Sequence, residues 1–170
     1  LATSGLLVRE IGGKSVRPYQ PAGLWEAVGY TNSNTAKFTQ DHGSSLYRRS
    51  MYIFWKRTAP PPTMATFDAP SRESCTVRRS RTNTPLQALA LMNDVQFIEA
   101  ARHLSARVLR EGGSQPEERL EFAFRLVTGR RPSPDELTIC RKLLEQSLAR
   151  YAEDAEAARQ LVSVGETAPA

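Results

Sequence analysis

From residue 84 onward, apolar residues return every three or four positions, and the breaks between runs carry cap and stop residues. Thr84-Pro85-Leu86-Gln87 has the capping-box spacing with proline at the first helical position, which predicts a helix starting there. Asn93-Asp94 interrupts it, and Asp94 is placed to cap a second helix with a face of Val95, Ile98, Ala101, Leu104 and Val108, closed by Gly112-Gly113. Ser114-Gln115-Pro116-Glu117 opens a third helix carrying Leu120, Ala123, Phe124 and Val127, stopped by Gly129. Ser133-Pro134-Asp135-Glu136 opens a fourth, in which Leu137, Cys140, Leu144, Ser147 or Leu148, and Tyr151 keep helical spacing. Asp154 starts a last short turn ending near Gly165. Connections this short predict neighbours that pack antiparallel.

The first half has no such period. Seven of the eleven prolines fall at or before Pro85, and residues 12–70 never sustain a helical apolar pattern. LYRRSMYIFWKR (46–57) alternates Tyr47, Met51, Ile53 and Trp55 roughly by two, which predicts a strand. APPPT (59–63) predicts a polyproline-like passage. The fold class expected is mainly α: a loop-rich, arginine-rich segment (1–83) with room for a short strand pair, packing on an antiparallel bundle of four to five helices (84–170). The first residue is not Met, and LATSGLLVREIGG reads as the tail of a helix, so the chain is taken as a C-terminal fragment of a longer protein.

Charge sharpens this division. The net charge of +5 is distributed as +1 over residues 1–47, +6 over 48–84 and −2 over 85–170, and the cations are nineteen arginines against four lysines. Arginine pairs bidentately with carboxylate and phosphate, so the bias fits ion-paired loops and an anionic ligand alike. A nucleic-acid coat would spread along a face or a helix; here a balanced or acidic flank and the lack of a recognition-helix pattern argue against that partner. No apolar run is long enough to span a bilayer.

The concentrated signal is FDAPSRESCTVRRSRTNTPLQ (67–87), which holds Arg72, Arg78, Arg79, Arg81 and Asn83 just ahead of a helix N-terminus. These five are the candidate anion-binding residues, for phosphate, sulfate or uronate groups. The structural alternative is a loop anchored by pairing with Asp68, Glu73 and backbone carbonyls, or with carboxylates of an upstream portion. Cys75 sits among the arginines that would favour its thiolate, and Asp41 could orient His42, so a Cys75–His42–Asp41 arrangement can be drawn; a plain turn at Asp41-His42-Gly43 is simpler. Asp41, His42 and Asp68 lack diagnostic metal-ligand spacing, and no metal is assigned. Cys140 shares a face with Leu137 and Leu144 and reads as a core thiol. Trp25, Tyr47, Tyr52, Trp55 and Tyr19 serve either as a stacking platform or as the core that a loop-rich half needs.

SVRPYQPAGLW, the long run QDHGSSLYRRSMYIFWKRTAPPPTMATFDAPSRESCTVRRSRTNTPLQALALMND, and GRRPSPDE together resemble the C-terminal part of the planctomycete domain of unknown function 1553, the PSD-type module. The resemblance covers nearly the whole chain. It implies a module ending large multidomain proteins with cytochrome-c-like segments, export to the periplasm or cell envelope, and upstream domains of the same polypeptide as partners. It supplies no reaction and no catalytic residue; the matching positions Asp41, His42, Asp68, Arg72, Cys75, Arg78, Arg79, Arg81 and Asn83 are where a site is to be sought. The haem-attachment motif of the neighbouring domain is absent, so no cofactor is expected in this fragment. Two functions follow as expectations: binding or breakdown of anionic complex polysaccharide, or a purely structural docking module.

Overall fold

In a computed structural model, which describes residues 1–30 and 32–168, the chain is helical with almost no strand. It divides into two compact units, Leu7–Asp94 and Leu1–Leu6 with Val95–Ala170.

The second of these is a helical cluster. Its helices are α3 (Val95–Glu111), α4 (Pro116–Thr128), α5 (Pro134–Glu153) and α6 (Ala155–Val162). Each packs on the next, and α6 returns to α3. The starts follow the punctuation read from sequence. At α5, Ser133 accepts the Glu136 amide while Glu136 accepts the Ser133 amide, and Pro134 takes the first helical position. At α4, Glu118 accepts the Ser114 and Gln115 amides at 3.0 and 3.1 Å, and Gly129 ends the helix in the left-handed region at φ 75°. Leu104, Val108, Leu120, Ala123, Leu144 and Leu148 line a groove of about 600 Å³, so the expected inner face of α5 is left partly open. Cys140 is a half-buried free thiol.

A buried carboxylate closes this unit. Glu99 on α3 is 0 % exposed, and its Oε1 accepts the Thr167 amide at 2.8 Å and the Thr167 hydroxyl at 2.7 Å. Arg102, one turn on, donates to the Val162 and Thr167 carbonyls, both at 2.6 Å, and its Nη2 lies 3.7 Å from Glu99. His103 Nε2 lies 2.7 Å from the same Thr167 hydroxyl. Gly165, at φ 97°, lets the chain turn in: a Cβ there would stand 2.3 Å from the Glu99 carboxyl carbon.

In Leu7–Asp94 the core is small and aromatic. Trp25 is 2 % exposed and meets Phe38 edge-on at 5.2 Å and Phe54 at 5.4 Å, with Val16, Leu46 and Tyr47 also buried. The strand expected over 46–57 does not form. Its place is taken by 3₁₀ turns at Gly43–Tyr47 and Ser50–Tyr52 and by two single bridges, Val8 to Arg48 and Val16 to Ile53. The reason is local. The Tyr52 and Ile53 amides bond back to Arg49 and Ser50, and Leu46, Tyr47 and Arg48 are buried consecutively, which period-two alternation forbids. Nor does the N-terminus continue a helix, since the Gly5 amide turns back to Ala2 and the Val8 amide reaches Tyr47. The polyproline passage ends at Pro61 (φ −57°, ψ 121°); Pro62 then starts a short helix, α1 (Pro62–Thr66), because its fixed φ suits a first helical position. Helix α2 (Pro85–Asn93), capped by Thr84 and Gln87, belongs to this unit and packs on α1.

Two tests address the helical unit. Thr167→Val removes a hydroxyl from the buried Glu99 carboxylate and is expected to lower unfolding free energy by about 1–3 kcal/mol in urea denaturation; an unchanged midpoint would make the closure incidental. At α5, the bonds from Arg130 and then from Ser133 hold the Glu136 carboxyl down at about 2. Because folding lowers this value, its stabilisation is complete above the unfolded pKa of about 4.3 and is lost as pH falls toward 2. The Glu136 side-chain carboxyl resonance in NMR is therefore expected to titrate about two units below an ordinary glutamate.

Candidate functional site: an arginine-lined cleft

The cleft is built by the segment between α1 and α2. After Phe67, Asp68 (φ 57°) and Arg72 (φ 63°) both take the left-handed backbone region and turn the chain outward. The segment is then tied at its base. Asp68 Oδ2 accepts the Thr82 amide and the Thr82 hydroxyl, each at 2.8 Å. Arg79 Nε donates to the Asp68 carbonyl at 2.8 Å, and its Nη2 to the Phe67 carbonyl. Gln87 locks this base to α2: its Nε2 donates to the Thr66 carbonyl and to Thr82 Oγ1, both at 2.9 Å, while its Oε1 accepts the Thr84 amide. Further out, Arg57 clasps Glu73 through two bonds, and the Arg72 guanidinium lies 4.8 Å from the Trp55 ring centre.

Between these ties, residues 71–83 are all exposed. Phe67, Asp68, Val77, Arg78, Arg79 and Arg81, with Ser80, Thr82 and Gln87, line a cleft of about 740 Å³. Of the expected anion-binding residues, Arg78, Arg79 and Arg81 come together there, while Arg72 is held against Trp55 and Asn83 lies exposed outside the lining. Arg79 serves backbone carbonyls, whereas Arg78 and Arg81 make no hydrogen bond or ion pair among the described residues. Asp68 is a tie at the base. Asp41 binds the Arg17 amide at 2.7 Å, His42 precedes a 3₁₀ turn, and Cys75 is an exposed free thiol; none of these three lines the cleft. Among the described residues no group of three or more His, Cys, Asp and Glu side chains is gathered around a metal-sized space.

A match to a family model covers residues 1–144, the cleft included. The chain belongs to PSD1, protein of unknown function (DUF1553). No curated protein and no solved structure matches it.

Two residues of this PSD1 chain that sequence reasoning passed over are Thr82 and Gln87. Gln87 was legible only as a capping partner; its second use, through Nε2, needs the end of α1 brought beside the start of α2. The cleft's chemistry is that of fixed charge. Two open guanidinium groups on a tied loop can grip an oxyanion.

The Thr82 bonds, and to a lesser degree the Arg79 charge, hold the Asp68 carboxyl below the usual aspartate value. Its pKa is lowered by folding, so the tie is intact above the unfolded value of about 3.9 and is lost as pH falls through the folded one. The Thr82 amide shift is expected to move in that acid range, and Asp68→Asn should abolish the step. A Thr82 shift that follows an ordinary aspartate titration would deny the tie.

Proposed function

We propose that this PSD1 chain is an anion-binding module of an exported, cell-envelope multidomain protein, and that its ligand is an anionic complex polysaccharide. The observation carrying this reading is the pair Arg78 and Arg81, unpartnered among the described residues and lining a cleft whose loop is tied at its base. A tied loop loses little further freedom on binding, so the charge is available at small entropic cost. A chain of repeating acidic sugars suits a localised cationic cleft better than a duplex does, since the remaining segments carry charges of +1 and −2. Envelope localisation rests on the family resemblance. Among the described residues no helix is long and apolar enough to cross a membrane.

A second reading, docking of upstream domains of the same polypeptide, draws on α2. Leu86, Leu89, Leu91 and Met92 are all exposed on this two-and-a-half-turn helix, beside an exposed Val77.

Binding to polygalacturonate and to a sulfated glycan in low salt separates the two. The first reading expects measurable affinity that weakens with salt and falls about tenfold for Arg78→Gln and again for Arg81→Gln, each guanidinium contributing on the order of 1.5 kcal/mol. No binding in low salt, or binding indifferent to both substitutions, would leave only docking.

A further inference from the structure

Residues 54–58 also wall a second cavity, of about 330 Å³, bordered by Tyr30, Ser33, Thr35, Trp55, Lys56 and Arg57 among others. That volume is at the lower end of the roughly 300–1,000 Å³ typical of small-molecule pockets, the scale of a single ring. Its distinctive feature is Lys56. The residue is only 9 % exposed, and its ammonium donates to the Thr35 carbonyl at 2.8 Å and the Trp25 carbonyl at 3.3 Å, 5.0 Å from the Trp25 ring centre. An ammonium has three protons, and only two find acceptors among the described residues. Both acceptors are neutral, and no carboxylate there lies within ion-pair reach. Buried charge held only by neutral groups is incompletely compensated, so an anion entering this cavity would be strongly favoured.

The other walls state what kind of anion. Tyr30, 86 % exposed, and Trp55 offer aromatic surface, and the Ser33 and Thr35 hydroxyls, 3.1 Å apart, offer donors and acceptors. An aromatic surface suits the C–H face of a sugar ring, hydroxyls suit its hydroxyls, and one cation suits one carboxylate. The cavity is also joined to the arginine loop through its walls: Arg57 is the partner of Glu73, and Trp55 underlies Arg72.

We propose that this cavity binds a single carboxylate-bearing sugar ring, with the carboxylate on Lys56. The inference rests on the anionic-glycan reading for the chain that carries the ring, and names the acidic sugar as its recognised unit.

Calorimetric or NMR titration of the full chain with glucuronate, glucose, glucose 6-sulfate and acetate tests it. Glucuronate is expected to bind at least tenfold tighter than each of the other three. Lys56→Met should remove that preference, and because Lys56 also holds two loops, Tyr30→Ala at the rim provides a variant expected to weaken glucuronate severalfold without changing the melting temperature, and Ser33→Ala, whose hydroxyl also accepts the Thr35 amide, one expected to weaken it severalfold with a small loss of melting temperature. Equal binding of glucose would overturn the carboxylate's role, equal or tighter binding of the sulfate its identity, and equal binding of acetate the ring's. Glucuronate affinity unchanged in both rim variants would place the ligand elsewhere. Loss of polygalacturonate binding in the Arg78→Gln, Arg81→Gln double variant with glucuronate binding retained supports two separate sites. A wild-type chain that binds glucuronate but no polyanion sinks the arginine cleft and leaves the Lys56 pocket standing.

Discussion

Cationic side chains that hold backbone carbonyls are what the loop-rich unit depends on. A chain that crosses residues 7–61 with, among the described residues, 3₁₀ turns and two single bridges as its regular structure leaves carbonyl oxygens that no ladder satisfies. Arg48 donates to those of Glu10, Gly12 and Lys14 while covering the Tyr52 ring at 3.9 Å, and Lys56 donates to those of Trp25 and Thr35. Arg79 does the same for Phe67 and Asp68. The helical unit repeats the device, with Arg102 on Val162 and Thr167, Arg107 on Thr3 and Arg119 on Gly113. A planar fork with five donors in fixed geometry reaches two or three oxygens at once, which suits arginine to this work.

Against that background the functional candidates are defined by contrast. Most of the positive charge in residues 48–84 is committed to the fold: Arg48 and Lys56 to loops, Arg57 to Glu73, Arg72 to an aromatic face, Arg79 to the base of its own loop. Arg78 and Arg81 are placed by that framework without belonging to it. The anchored-loop and ligand-site readings of the segment are thus complementary, because the anchoring is what holds the two open guanidinium groups over a cavity.

How much could be read without coordinates depended on how local the cause was. The starts at Pro85, Pro116 and Pro134 and the stop at Gly129 were legible, because a cap is a bond between residues three apart and a left-handed turn is one residue's property. Residues 46–57 misled for the complementary reason: aromatic alternation suggests a strand, but whether a strand forms depends on a partner, and here a partner edge meets it at single points only. The buried Glu99 was passed over altogether, since its partner Thr167 lies 68 residues away.

Composition and spacing by themselves determined the helical second half, its boundaries, the position of the positive charge and the family resemblance, all of which follow from near neighbours along the chain. Tertiary structure alone decided which arginines remain open, that α2 joins the loop-rich unit, and that Lys56 is buried without an anion among the described residues. The physical reason is that a charge is neutralised by whatever lies close in space, and in a unit held together by side chains reaching distant carbonyls, closeness in space is not encoded in any local pattern.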